Sequence, residues 1–334
     1  MRLVKWDNIK FFLMYCVVLG HFNNILKCDS GFLDGLQIFM YAFHMPAFLF
    51  VSGLFSKSTV DRRRYGRMIP YLVLFLFMKT FRFLVYSLVD GKARGFNLFT
   101  EGGVPWFALT LFLCYLVTVL LGSLPRRYTL IVAVCLGMMA GYDRNLNDFL
   151  TGMRFFTFYP FFLLGYCIPV EKVTAWTEKT AVKAASAVVL AGWLICSFLY
   201  REQLWGFMGF LKGKLSYHEM GMLPYGGLYR GIYYVFAFIL ILCVIAVVPS
   251  VKSSVAVWGR RTVQVFALHF PILYILMHVF GMKEHLAALT PKYGVLVPFL
   301  ALALTIVLSL GIWQPFFDWL MCTKKKQVKE ERIQ

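Results

Sequence analysis

Long apolar runs separated by short polar ones make up almost the whole chain. Ten runs approach the length of a membrane crossing: 8–26, 36–55, 68–89, 104–122, 128–141, 154–170, 181–200, 229–248, 262–281 and 295–320. A helix needs about 20 predominantly apolar residues to cross the hydrocarbon of a bilayer. The pattern therefore predicts an all-α, polytopic membrane bundle of about ten transmembrane helices. The fifth run is short for a crossing and is expected to be tilted, kinked or partly inserted. No polar stretch is long enough for a soluble domain, so residues 1–322 read as one membrane-embedded domain and 323–334 as a short basic cytoplasmic tail. The first run lacks a small-residue cleavage site and carries polar residues inside it, unlike a removable signal peptide.

Composition agrees with this solvent. Sixty per cent of the 334 residues are hydrophobic, 18% aromatic and 15% charged, where a soluble domain has about 25% charged residues. The charge also orients the chain. With the N-terminus inside, roughly 20 Lys and Arg fall on inner segments and roughly 11 on outer ones, as the positive-inside rule requires. The inner set includes Arg2, Lys5, Arg62, Arg63, Arg64, Arg67, Arg126, Arg127, Arg260, Arg261, Lys324, Lys325 and Lys326. Both termini are thus predicted to be cytoplasmic, with outer loops at 27–35, 90–103 and 201–228. The net charge of +18 is accounted for by anchoring to anionic lipid, and no nucleic-acid partner is implied.

The eight cysteines indicate little chemistry. Most lie in apolar runs, where Cys acts as a small hydrophobe. Cys28 and Cys322 fall on opposite sides of the predicted membrane and cannot pair within one chain. No Cys/His spacing suggests a metal, and no nucleotide-binding glycine motif or internal repeat is present.

Polar residues inside the apolar runs are costly there and are functional candidates by default. In WDNIKFFLMYCVVLGHF, Asp7 and Lys10 share a helix face. His21, eleven residues beyond Lys10, returns to that face about 16 Å further along. An acid and a cation at the cytoplasmic end and an imidazole deep in the membrane form a stripe that favours function over an interfacial ion pair and a packed histidine. In FMYAFHMPAFLFVSGLF, Pro46 follows His44 and frees the Ala42 carbonyl. His269-Phe270-Pro271 repeats the arrangement, and Tyr159-Pro160 adds a third kink. Kinks flanked by polar residues suggest a cavity, with His21 and His44 at similar depth. Arg64 and Arg67, in DRRRYGRMIPY, suit bidentate phosphate binding as well as lipid anchoring. Ser52 reads as a small packing residue.

Taken in order, DNIKFFLMYCVVLGH, FHMPAFLFVSG, RRRYGRMIPY, VPWFALTLF, FYPFFLLGY and GRRTVQVFALHFPI resemble the acyltransferase 3 family of bacterial membrane O-acyltransferases, nearest the branch with fucose 4-O-acetylase-like enzymes. The resemblance runs from Asp7 to about Ile272. It implies acyl-CoA, usually acetyl-CoA, as donor substrate, no tightly bound cofactor, a carbohydrate hydroxyl as acceptor and a multi-pass protein of the bacterial inner membrane. Many members carry Arg where this chain has Lys10; lysine keeps the charge without the planar fork. Some members append an extracytoplasmic domain that receives the acyl group; none is found here, so transfer is expected within the membrane domain. On this reading His21 is the general base, with Asp7, His44 and His269 as further catalytic candidates. Arg64, Arg67 and Lys10 take the CoA phosphates. Arg154, Tyr159 and Trp106 are acceptor or oxyanion candidates beside His44 and His269. The outer loop 201–228, with Lys212, Lys214, His218 and Glu219, is placed to cover the acceptor.

Kinked helices around buried polar groups also suit a transporter or flippase of an anionic or glycolipid substrate, although no repeat supports it. A sensory membrane protein without turnover is a third alternative. The orientation is directly testable. Impermeant thiol reagent added to intact cells should label Cys28 and spare Cys322; the reverse pattern would invert the topology and the donor side with it.

Overall fold

A computed structural model describes residues 4–26, 30–93, 95–146 and 148–322. Arg2, Cys28, Lys324, Lys325, Lys326 and the tail 323–334 lie outside them, as does the start of the loop 27–35. The described residues form helices joined by turns and loops, without strands, apart from one isolated bridge between Thr100 and Phe149. The all-α expectation is met.

Every predicted apolar run falls on a helix. The elements are α1 (Val4–Leu26), α2 (Gly31–Tyr41), α3 (His44–Leu54), α4 (Ile69–Asp90), α5 (Trp106–Leu120), α6 (Arg126–Met139), α7 (Gly152–Cys167), α8 (Val170–Thr177), α9 (Thr180–Leu199), α10 (Gly226–Val247), α11 (Ser254–Gly259), α12 (Thr262–His278), α13 (Met282–Tyr293), α14 (Leu296–Leu308) and α15 (Gln314–Leu320). Five spans are long and apolar enough to cross a membrane alone: Val4–Leu26, Gly31–Leu54, Tyr65–Asp90, Thr180–Leu199 and Gly226–Val247. Three more qualify only as bent pairs, α7 with α8 at 90°, α12 with α13 at 86°, and α14 with the segment that follows it at 43°. The runs 104–122 and 128–141 yield helices of 15 and 14 residues. At 1.5 Å per residue each is about 22 Å long, short of a hydrocarbon core of about 30 Å.

Pro46 breaks the second span where the sequence places the break. Its missing N–H removes the donor for the Ala42 carbonyl, and the chain turns at Ala42 and Phe43 before helix resumes. The Phe43 N–H instead donates to the Met40 carbonyl at 3.1 Å, and Ala47 restarts the ladder on the Phe43 carbonyl at 2.8 Å.

Helix α1 is central, packed against α2, α3, α11, α12 and α14, whereas α9 sits at the periphery against α2 and α10. Burial reflects this: 72% of the Gly31–Leu54 window is covered, against 11% for α9. An apolar helix exposed on most of its surface is stable only against lipid. At the start of α1, buried Lys5 donates to Glu178 at 2.7 Å and to the Thr177 hydroxyl at 3.3 Å. Glu178 also accepts from Lys183 and Ser250. These hydrogen bonds, from Lys183 first and then Lys5 and Ser250, hold its carboxyl down to about 2. The cluster fastens α1 to the turn between α8 and α9.

The tightest crossing joins α3 and α7. A Cβ on Gly53 would run into the Phe162 carbonyl, and one on Gly165 into the Phe50 carbonyl. Each helix therefore presents bare backbone to the other, the small-residue packing that holds membrane helices together where lipid is as apolar as the side chains. Gly165→Leu should overpack this crossing by about 1–3 kcal/mol or more, read as a lowered melting midpoint of the detergent-solubilised protein. Gly192→Ala, with nothing within 4 Å of its added Cβ, should leave that midpoint unchanged; equal behaviour of the two variants would refute the close crossing.

Candidate active site

Parts of α1, α3, α4, α7 and α12, with the 201–225 segment, enclose a cavity of about 350 Å³, within the range of small-molecule sites. His21, His44, Arg154 and Trp106 line it together. His269, fully buried, lies directly behind His21, their ring centroids 5.1 Å apart. Five residues picked from separate stretches of sequence thus converge on one place.

Backbone carbonyls set the imidazole chemistry. His44 follows the turn at Ala42–Phe43, and its Nδ1 lies 2.8 Å from the Met40 carbonyl. A carbonyl only accepts, so a neutral ring there must carry its proton on Nδ1 and a lone pair on Nε2. His269 is fixed the same way, with Nδ1 at 3.0 Å from the Val265 carbonyl and 2.9 Å from that of Phe266. Its Nε2 is buried and has no hydrogen-bond partner among the described residues. His21 is half-buried, in ring contact with His269 and Phe270.

Opposite the imidazoles stands a cationic wall. The Arg154 guanidinium lies over the Trp106 ring, 4.7 Å from its centroid, and donates to the carbonyls of Glu101 and Gly102 at 3.4 and 3.3 Å. Those carbonyls are held by a buried network. Glu101, whose side chain has no exposed surface, pairs with Lys79 at 2.9 Å and Arg82 at 2.8 Å and accepts from the Gly103 N–H at 2.7 Å. Lys79 also donates to the Thr100 carbonyl at 2.7 Å. A Cβ at Gly103 would land on the Arg82 guanidinium, so a larger residue there would push that side chain from its place beside Glu101. Lys214 pairs with Asp148 at 3.2 Å, and the Lys212 ammonium lies over the Tyr41 ring at 5.5 Å. Burial, reinforced by Arg154 and Lys214, lowers the Lys212 pKa, so its charge is present below that shifted value and is lost earlier than usual as pH rises. Tyr41, which also rings against His44, accepts from Asn24 at 2.8 Å.

The remaining candidates lie elsewhere. Tyr159 is hydrogen-bonded to Thr118 at 3.0 Å and does not line the cavity; it is a packed phenol in the middle of α7. Asp7 and Lys10 form an ion pair at 2.7 Å, about 16 Å down α1 from His21 when measured from Lys10. Arg64 and Arg67 precede α4, where Arg67 donates to Ser58 at 3.3 Å. From Arg67 to Arg82 is about 22 Å along the helix, so these arginines stand at the opposite end of the bundle from the cavity. Of the outer-loop residues, Lys212 and Lys214 reach the lining, and His218 and Glu219 do not. Lys79, Arg82, Glu101 and Tyr41 had escaped sequence reading. Lys79 and Arg82, three apart within an apolar run, were the available signal, because two buried cations demand an anion.

A family model described as an acyltransferase domain matches residues 3–315. Nodulation protein NolL of Sinorhizobium fredii (strain NBRC 101917 / NGR234) is 23% identical over 219 residues, which cover 61% of this chain and 58% of that protein. The chain thus spans less than two thirds of that relative's length. No solved structure matches the chain.

The Glu101 network gives a direct test of how the wall is held. Glu101→Gln leaves Lys79 and Arg82 as uncompensated buried charges, and breaking such a pair costs about 3–5 kcal/mol. A fall of that order in unfolding stability is expected. A variant as stable as the parent would mean that water or lipid phosphate, and not Glu101, balances the two cations.

Proposed function

The chain belongs to the acyltransferase 3 family, and from that premise we propose that it moves an acyl group, acetyl in the first instance, from cytoplasmic acyl-CoA to a hydroxyl of a sugar or surface polysaccharide precursor at the inner membrane of a bacterium. The branch with fucose 4-O-acetylase-like enzymes supplies the acceptor chemistry for this reading. One observation carries it: His21 and His44, the latter with its proton-accepting Nε2 fixed by the Met40 carbonyl, share a cavity with the Arg154 guanidinium.

A sugar hydroxyl is a weak nucleophile at neutral pH and needs a positioned base. His269, its Nε2 buried and without a hydrogen-bond partner among the described residues, backs the His21 ring, and a neutral His21 presents a bare nitrogen to the cavity. That nitrogen removes the hydroxyl proton as the sugar oxygen bonds to the thioester carbonyl carbon. The carbonyl oxygen gathers negative charge, which the Arg154 guanidinium stabilises. Collapse breaks the C–S bond, and the CoA thiolate leaves with the proton held by His21. His44 Nε2 accepts from a second sugar hydroxyl and orients the ring, and Trp106 offers a flat apolar face to it.

The donor enters from the other end. Arg64, Arg67 and Lys10, the last steadied by Asp7, take the phosphates, and the long pantetheine arm of CoA bridges the interval to the cavity. Tyr159, bonded to Thr118, has no part in the reaction.

Labelled acetyl-CoA incubated with the purified protein and a panel of sugars provides the test. Acyl transfer should occur, and His21→Gln should lower its rate about 10²–10⁴-fold while acetyl-CoA still binds. Arg64→Ala or Arg67→Ala should instead weaken donor binding by about 1.5–3 kcal/mol, and less so for a dephosphorylated donor. Near-parental transfer by His21→Gln would move the base to His44; absence of any acetyl-CoA turnover by the parent protein would sink the acyltransferase reading itself.

A further inference from the structure

A second, larger hollow adjoins the cavity. It is a groove of about 780 Å³ between α2, α9, α10 and the 201–225 segment, and not one of its lining residues is charged. Ile38, Trp193, Leu204, Phe210, Tyr229 and Ile232 define its walls. It is open on the side where α9 and α10 expose apolar surface; Ile232 is 59% exposed. Trp205, Tyr225 and Tyr229 are exposed beside it, the amphipathic rings that mark a membrane–water boundary.

The groove and the cavity share a wall one residue thick. Leu211 lines both. The next residue, Lys212, faces the cavity, and its predecessor Phe210 faces the groove. Arg230 keeps this wall in place: buried on α10, it donates to the Phe210 carbonyl at 2.9 Å and lies 3.7 Å from the centroid of the Phe210 ring. An apolar compartment open to lipid thus meets, across one leucine, a polar compartment rich in cations. Arg82, Arg154, Lys212 and Lys214 line the latter, with Glu101 and Asp148 as the two carboxylates set against them. Lys212 has no carboxylate partner among the described residues, and it shares the cavity lining with Arg154 and Lys214, whose like charges act on it.

We infer that the acceptor is an anionic, lipid-linked saccharide. Its apolar chain lies in the groove, its phosphate crosses the Leu211 wall onto Lys212, and its sugar projects among His21, His44 and Trp106. This rests on the acyltransferase reading and narrows the acceptor within it. A free sugar would leave both the groove and the excess positive charge unused. A neutral glycolipid would fill the groove and leave Lys212 uncompensated. Burial of the chain holds the acceptor laterally in the bilayer, and the charge fixes how far the sugar reaches into the cavity.

The full-length protein in lipid nanodiscs tests this with two probes, a prenyl phosphate and the corresponding prenyl alcohol, each carrying a photoreactive group at the far end of the chain. The phosphate should label peptides containing residues 204–236, and more strongly than the alcohol. Ile232→Trp or Leu204→Trp, on opposite walls, should each reduce labelling by roughly tenfold, the effect of losing about two buried methylenes. Lys212→Gln should erase the advantage of phosphate over alcohol without moving the labelled position. Equal labelling by the two probes, or labelling indifferent to the tryptophan variants, would mean that ordinary bilayer lipid fills the groove and would overturn the proposal. Turnover of labelled acetyl-CoA, measured on the same samples, separates the two readings. Turnover without groove labelling removes the lipid-linked acceptor alone; groove labelling without turnover removes the acyltransferase and the acceptor assignment with it.

Discussion

Glu101 is charged and has no exposed side-chain surface, and most of the cavity depends on how that charge is balanced. An isolated buried carboxylate would be intolerable at this depth. Lys79 and Arg82 from α4 and the Gly103 N–H surround it, and in return they fix the course of the Thr100–Gly103 backbone. The carbonyls of Glu101 and Gly102 then point at Arg154, which holds the guanidinium above Trp106. A single carboxylate thus converts two helix-borne cations into a rigid loop, and the loop into a positioned donor.

The fold and half of the site were legible because both follow from short-range rules. Apolar run length marked the long helices, though not the short α8, α11 and α13 that lie between runs, and Pro46 marked the break after Ala42 because proline lacks the donor that the ladder needs. His21, His44, His269, Arg154 and Trp106 were each conspicuous as polar or amphipathic groups in an apolar run, and the structure gathers them. Tyr159 was conspicuous for the same reason, yet its partner is Thr118, a hydroxyl on another helix that no spacing within α7 could reveal. Glu101 was hidden because it sits in a polar connection, where a carboxylate is unremarkable until tertiary packing buries it. Crossing number was the least legible quantity. Run length does not distinguish a straight helix from one bent by 86° or 90°, and helices of 14 or 15 residues rely on neighbours to complete their passage.

Backbone carbonyls set the imidazole chemistry of this protein. The Nδ1 of a helical histidine folds back onto the carbonyl one turn earlier, His44 onto Met40 and His269 onto Val265, and His278 does the same on Tyr274. A carbonyl only accepts, so the proton of a neutral ring is pinned on the side facing the backbone and the lone pair on the other. The prolines at 46 and 271 are not the source of these acceptors: they free the carbonyls of Ala42 and Ala267, whereas the rings of His44 and His269 contact those of Met40, Val265 and Phe266.

The reciprocal glycine crossing of α3 and α7 bears on motion. Gly53 against the Phe162 carbonyl and Gly165 against the Phe50 carbonyl leave no lubricating side chains between the two helices, so sliding or separation would lose close contacts on both strands of the seam at once. His44 rides on α3 and Arg154 on α7, and the pair therefore travels as a single rigid body. Any breathing of the bundle must take place along other seams, around α4, α9 or α12. Access can fluctuate in such a bundle while the spacing between proton acceptor and charge donor stays constant, which separates gating from chemistry without a dedicated lid.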